Sequence, residues 1–439
     1  MDDLQRAYEA LSGKTASLDT LYAYYDGEHP ALYSSQRMRA VLAQTGVSFS
    51  ENWMATVVDV LLDRLNIASV SIEGARDEAL QRLWTAEALD IESDEVHADV
   101  AIGGESYVIV WRGDGPRARV YHNDPRLCTV FYDAADPAIV RMAAKWWEDE
   151  DERRHLTLYY PDRFEHYVSR SKARELAGYE GLAADGEEPN ETGVVPVFCF
   201  RQSSRRSRGE ILPILPVQRA LNRLLDDMLA SSEYGAFRQR YAVTNADPDD
   251  FRAAPGTTVT FPPNEQGQEA TQIGQFEATD LKNFGDEIDR LAGHIASLSR
   301  TPRSAFFDQG ANISGDALVA MEAQLARKAA RYQERLMVTW RKVLSFALAL
   351  DGVGVDEADI HVAWDDARIV QPMAEAQILQ AQVASGVPLV TALRRAGWNE
   401  AAIAQLLADK AEEERARASL SAPMLEAVRR AQAAMGSPE

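Results

Sequence analysis

Three stretches of the chain repeat their apolar residues with a helical period, and the segments between them change period or lose it. From about Ser314 to Leu350 the apolar line is Leu318, Met321, Leu325, Ala329, Tyr332, Leu336, Trp340, Val343 and Ala347. Steps of three and four alternate in an eleven-residue repeat, which keeps one helix face apolar with little drift. At 1.5 Å per residue such a helix is roughly 50 Å long. The pattern places Arg327, Lys328, Arg331, Glu334, Arg335, Arg341 and Lys342 on its polar face. Val217, Leu221, Leu224 and Met228 predict a second long helix, from near Pro213 to as far as Arg240. Ile288, Leu291, Ile295 and Leu298 share one face of a third, about Asn283 to Ser299.

The first 66 residues also read as helices. Gly27 and Pro30 interrupt them, and Ser50 is placed to cap a helix carrying Trp53, Val57, Val60 and Leu61. Further helices are expected at about Asp77 to Ala88 and Ser93 to Ile102. From Glu105 to about Phe200 the period shortens. Strands are expected at Ser106 to Trp111, Arg119 to Tyr121, Cys128 to Tyr132, Ile139 to Trp147, His155 to Tyr160, Arg163 to Val168 and Val194 to Phe200. Trp147 to Arg154 and Ala183 to Gly193 read as loops. The result is α+β and mainly α, an antiparallel β-layer appended to helices.

Thr244 to Phe284 is rich in Pro, Gly and Asn, with one β run at Thr257 to Phe261, and reads as a small module with little core of its own. Thr301 to Gly315 reads as a loop, and Asp359 to Trp364 as a strand. The tail reads as helices at Pro372 to Ser385 and Leu389 to Ala396. Gly397 closes the second, and Asn399 caps a last charged helix.

Charge narrows the functional classes. The 439 residues hold 46 basic and 68 acidic side chains, a net −22. A protein that grips nucleic acid through phosphates needs a basic surplus, so this chain repels DNA on average; solubility is the plainer account of the same number. Cys128 and Cys199 make neither a ligand pair nor a disulfide framework. The acidic start is unlike a signal peptide, and no apolar run reaches the roughly 20 residues of a membrane span.

Catalytic signatures are missing. There is no phosphate-cradling G-x-x-x-x-G-K-[ST] loop, H-E-x-x-H, G-x-S-x-G or Cys-x-x-Cys. Gly103-Gly104 precedes a strand rather than opening a helix, and no two histidines stand four apart. No cofactor, metal site or enzymatic role is expected. The acid run Glu148 to Glu152 lacks the ligand spacing and glycine of a calcium loop and reads as a hairpin tip. Arg201, Arg205, Arg206 and Arg208 form a short basic cluster, read either as a linker or as a phosphate grip.

The order of elements is more telling than any motif. A helical and β front end feeds a helix, a Pro/Gly-rich module, a returning helix, a loop, a very long amphipathic helix and a helical tail. This order resembles the portal proteins of tailed bacteriophages, in particular the SPP1-like group. Local residues carry the resemblance: Tyr24-Tyr25-Asp26-Gly27-Glu28-His29-Pro30, Asn52-Trp53-Met54, Phe200-Arg201 through Gly209-Glu210-Ile211, Ser299-Arg300-Thr301-Pro302, Asn312-Ile313-Ser314-Gly315-Asp316, and Gly386-Val387-Pro388 through Gly397-Trp398-Asn399.

The resemblance implies a ring of copies, twelve in the virion, around a channel for double-stranded DNA at one capsid vertex. The partners it implies are the major capsid protein, the large terminase subunit and a head-tail adaptor, with assembly in the host cytoplasm. It divides the chain into a wing (1–205), first stem helix (206–242), clip (243–281), second stem helix (282–300), tunnel loop (301–315), the wing's long helix and β return (316–365) and a crown (366–439). Candidate DNA contacts in the channel are Arg300, Arg303, Gln309 and Asn312; capping helices or binding a neighbouring subunit would explain the same side chains. Two other readings stay open, a phage head or scaffold protein without a channel and an enzyme with an unrecognised site.

Overall fold

The computed structural model describes residues 2–28, 51–112, 117–202, 208–236, 240–243, 272–275, 281–307, 315–367 and 372–395, with a few further positions up to 415. The chain divides into two compact units, 1–367 and 368–439.

In the first unit, α1 (Asp3–Tyr25) serves two cores. Leu4, Ala7 and Leu11 pack on a β-sheet with Trp146 and Leu158, while Leu18, Leu21 and Tyr24 enter the main helical core. Helix α2 (Trp53–Leu62) buries Trp53, Met54, Val57, Val58 and Leu61. Its cap is Asn52, not the expected Ser50: the Asn52 carboxamide oxygen accepts from the Ala55 N–H at 3.4 Å, and its Nδ2 donates to the Tyr25 carbonyl at 2.8 Å. One side chain thus caps α2 and ties it to the end of α1. Ser50 lies outside the described residues.

Strand β1 (Ile67–Ile72) was not expected from the sequence. It pairs antiparallel with Ile360–Trp364, Val70 opposite Val362 and Ile72 opposite Ile360. Only Val70 and Ile72 are buried, too short an alternation to stand out. Helices α3 (Asp77–Ala86) and α4 (Leu89–Ile102) follow.

Two antiparallel sheets come next. In the first, β2 (Glu105–Trp111) lies between β3 (Arg119–Asn123) and the later strand Val197–Arg201. The second is a five-stranded meander of β4 (Cys128–Tyr132), β5 (Val140–Glu148), β6 (Arg153–Tyr159), β7 (Arg163–Lys172) and β8 (Leu182–Pro189). Strand β8 corrects the expected loop from Ala183 to Gly193. Its backbone pairs with β7 while residues 184–189 stay exposed. Ladder bonds need only the backbone, and Asp185, Glu187, Glu188 and Pro189 protect a free edge from further pairing. Val197–Arg201 is β9.

Chain entry into α5 (Leu215–Ala236) requires two glycines. A Cβ at Gly209 would stand 1.9 Å from the Ile102 carbonyl oxygen, and one at Gly104 (φ +94°) 2.2 Å from the Arg208 nitrogen. Two backbones cross here without side chains, and the Glu210 N–H donates to the Ala101 carbonyl at 2.7 Å. Helix α5 ends at Ala236, short of the expected Arg240, because Arg240 opens strand β10 (Arg240–Val243), paired antiparallel with β11 (Gln272–Gln275). The β run expected at Thr257 to Phe261 lies outside the described residues.

Helix α6 (Lys282–Ser299) buries Ala292, Ile295, Ala296 and Ser299, but Leu298 is 54% exposed. The buried stripe is rotated from the expected one, because small residues let α6 approach its neighbours closely. Helix α7 (Gly315–Leu350) spans 36 residues, and Leu325, Ala329, Tyr332, Leu336, Trp340, Val343 and Ala347 are all buried, as the repeat predicts. Trp340 sits at the centre, its ring 4.8 Å from Phe200, and its Nε1–H donates to His97 Nε2 at 3.0 Å. Burial pushes His97 down to about 3, so the imidazole stays neutral and able to accept. Ile360–Trp364 is β12. The second unit contains α8 (Pro372–Ala384) and α9 (Leu389–Arg395), joined by a turn with Gly386 at φ +94°.

Candidate DNA-facing loop and its anchor

The loop after α6 starts from a closely held point. Arg300 ends the helix in the left-handed region (φ 58°), and its N–H donates to the Ala296 carbonyl. The Thr301 N–H reaches the same carbonyl at 3.1 Å, a helix ending of the Schellman type. Ser299 Oγ donates to the Ile295 carbonyl at 2.7 Å and lies 3.0 Å from Thr301 Oγ1. Thr301 and Pro302 are buried, and a 3-10 turn follows at Arg303–Ala305. Phe306 and Phe307 then rest on Trp53 of α2, ring centroids 5.5 and 5.7 Å away.

Arg300 and Arg303 are exposed on this platform. The Arg303 guanidinium lies 5.8 Å from the Phe307 ring centroid. Gln309 and Asn312 lie outside the described residues.

Beneath the platform is a buried polar cluster. Lys328 Nζ donates to the Ser299 carbonyl at 2.8 Å and to Glu210 Oε2 at 3.1 Å, and Tyr332 Oη donates to Glu210 Oε1 at 2.7 Å. Lys328 therefore corrects the expected polar face of α7: its side chain is only 7% exposed. It stands one residue from buried Ala329 and one turn from buried Tyr332, at the edge of the apolar stripe. Its stem covers apolar surface while its ammonium meets the negative end of α6. Burial lowers the Lys328 pKa, and Glu210 acts against that shift. The cluster ties three places together: the approach to α5, the end of α6 and the middle of α7. From the sequence, Tyr332 was read only as an apolar position of the long helix and Glu210 only as part of the approach to the stem, neither as a member of a polar cluster. Lys328 and Tyr332 four apart beside an apolar line were the available signal.

The basic cluster has a packing role at one end. The Arg201 guanidinium lies 4.3 Å from the Tyr132 ring centroid. Arg205 and Arg206 are outside the described residues, and the Arg208 backbone takes part in the glycine crossing. Cys128 and Cys199 are both free thiols, pushed up by burial to about 12 and about 11. Among the described residues, no group of three His, Cys, Asp or Glu side chains could hold a metal, and no helix is long and apolar enough to cross a membrane.

The family described as phage portal protein, SPP1 Gp6-like, matches residues 12–416. The chain belongs to that family. The match takes in α1 from residue 12 onward, the two sheets of β2–β9, α5, α6, the anchored loop and α7. The portal protein of Mycobacterium phage D29 is 25% identical, over 83% of this chain and 78% of that protein. The portal protein of Mycobacterium phage L5 is also 25% identical, with the same coverage. Phage portal proteins are structural components of the virion, found at the capsid vertex, and the family generally forms rings with capsid and terminase partners.

Proposed function

We propose that copies of this portal protein close into a ring, twelve in the virion, around the channel that carries double-stranded DNA into and out of the capsid. The family match over residues 12–416 supports this reading more than any other observation. In this assignment 1–205 and 316–365 make the wing, 206–242 and 282–300 the stem, 243–281 the clip and 366–439 the crown. The clip receives the terminase large subunit and later the head-tail adaptor, the major capsid protein surrounds the ring, and assembly takes place in the host cytoplasm.

The tunnel loop, 301–315 together with Arg300 at its base, then faces DNA through Arg300, Arg303, Gln309 and Asn312. Charge gives this a physical sense. Duplex DNA carries one negative charge per about 1.7 Å of axis, so a strongly basic wall would hold it at many points at once. A ring of chains each bearing −22, with a few donors at the narrow point, lets the duplex slide. Exposed Arg300 and Arg303 on a platform pinned by Lys328, Phe306 and Phe307 suit transient contact without collapse of the loop's base.

Native mass spectrometry of the purified chain, with electron microscopy of the same sample, tests the reading. Closed rings near twelve subunits with a central hole are expected. A strict monomer or dimer at high concentration would favour the channel-free head protein.

A further inference from the structure

The outward side of α7 is basic in a strongly acidic chain. Arg327, Arg331, Arg335 and Lys342 are exposed along it, with Val338 51% exposed in their midst and Glu334 the one acid beside them. At about 100° per residue, these four cations and Val338 all lie on the side of α7 opposite Trp340. They span roughly 22 Å of helix. Among the described residues, no carboxylate pairs with any of the four cations.

The outward side of α4 has the opposite character. Ile91 is 66% exposed, and Asp90, Glu92, Asp94 and Glu95 surround it. None of these four carboxylates is in an ion pair among the described residues, although Glu95 and Glu92 help Asp99 raise the His122 pKa. Their crowding is unfavourable: the Asp94 pKa is raised by burial and then by Glu95 and Asp90.

Helices α4 and α7 meet through His97 and Trp340, ring centroids 6.1 Å apart. Ile91 stands about 120° round α4 from His97 and Val338 about 160° round α7 from Trp340, so neither apolar residue lies in the contact between the two helices. Two complementary patches at different places on a subunit are what a head-to-tail contact uses, and such contacts close into rings when the rotation permits.

We infer that the basic outward side of α7 in one copy docks on the acidic outward side of α4 in the next, with Val338 against Ile91 at the centre. The inference rests on the ring-forming reading above and assigns the surfaces of the ring contact. An apolar centre with a rim of opposite charges fits a protein interface, in which the charges set partner and register.

Charge exchange tests it in the full chain. Arg331→Glu/Arg335→Glu, and separately Asp94→Lys/Glu95→Lys, are expected to cut the share of subunits in rings by about tenfold or more through like-charge contact. The chain carrying all four changes is expected to regain rings. Circular dichroism melting establishes that each variant is folded. A second variant keeps the question decidable should a reversed chain misfold. The otherwise native chain with Ile91→Cys and Val338→Cys is expected to give, on oxidation, a ladder of covalent oligomers beyond the dimer.

Rings of normal mass from either reversed chain, or no recovery in the combined one, would overturn the contact and leave the portal reading standing. Normal rings from the α7-reversed chain that pass less DNA would overturn it in favour of a DNA-facing α7. A wild-type chain that never forms rings would overturn both.

Discussion

Lys328 and Glu210 form an ion pair at 3.1 Å with little access to water, their side chains 7% and 15% exposed. The pair joins the approach to α5 with α7, and the bond from Lys328 to the Ser299 carbonyl adds the end of α6. On the proposed reading, in which the loop contacts DNA, its base must keep its place. Packing alone would let three helices slide, whereas charge-assisted bonds fix their register.

Lys328→Ala should lower stability by about 3 kcal/mol, because Glu210 is left buried without its cation. Lys328→Met with Glu210→Gln should cost less than the two single changes together, since no charge is stranded and Gln can still accept from Tyr332. Urea unfolding of the single and double variants measures the difference.

Gly209→Ala should be more damaging than an ordinary surface change. The added methyl would stand 1.9 Å from the Ile102 carbonyl oxygen, so the chain must move away from α4 and take Glu210 with it. A loss of about 1–3 kcal/mol is expected, the usual cost of overpacking a closely packed site. Gly13→Ala, where a Cβ meets nothing within 4 Å and lies within a helix, should be neutral or stabilising. Thermal melting of the two variants makes the comparison.

His97 should make the fold acid-sensitive. Its pKa in the folded chain is about 3 against an ordinary 6.5. Between those values the unfolded chain binds a proton that the folded chain refuses, so stability falls as pH drops from 6.5, by about 1.4 kcal/mol per pH unit. His122 acts in the opposite direction. Burial disfavours its charge, but the hydrogen bond to Asp99 and the Asp99 charge outweigh burial and raise its pKa. That contribution is fully present below 6.5 and is lost as pH rises through the folded value. His97→Gln should flatten the fall in melting temperature between pH 6.5 and 5, whereas His122→Gln should leave that fall largely unchanged and remove a loss of stability above pH 6.5.

Arg300→Gly should keep or slightly raise stability. Arg300 occupies φ 58°, where a residue with a Cβ is strained by about 1 kcal/mol and glycine is not. If Arg300 contacts passing DNA, the same change leaves ring mass unchanged while slowing packaging. Ring mass by native mass spectrometry and packaged DNA per particle separate the two effects.

Most helices were legible because their signal is periodic and local. The eleven-residue line of α7 buries each of its positions from Leu325 to Ala347. The strands with alternating apolar residues were legible for the same reason, although β8 was not, since an edge strand needs only its backbone. Asn52 and Ser50 both suit a helix cap, and which one serves depends on where the end of α1 lies. Arg300 and Arg303 were singled out as candidates only through their place in the order of elements. Glu210 was not, because its partner lies 118 positions away.

The amino-acid sequence by itself determined the α+β class, the long helices, the acidic balance, and the order of elements that marks a portal protein. Those follow from propensity, periodicity and composition, which act within a few residues or sum over the chain. Only the tertiary structure decided that Lys328 is buried rather than solvated, that Gly104 and Gly209 let two backbones cross, that β1 pairs with β12, and that α4 and α7 meet through His97 and Trp340. Each of these depends on groups distant in sequence meeting in space, where burial and hydrogen-bond geometry outweigh the local pattern.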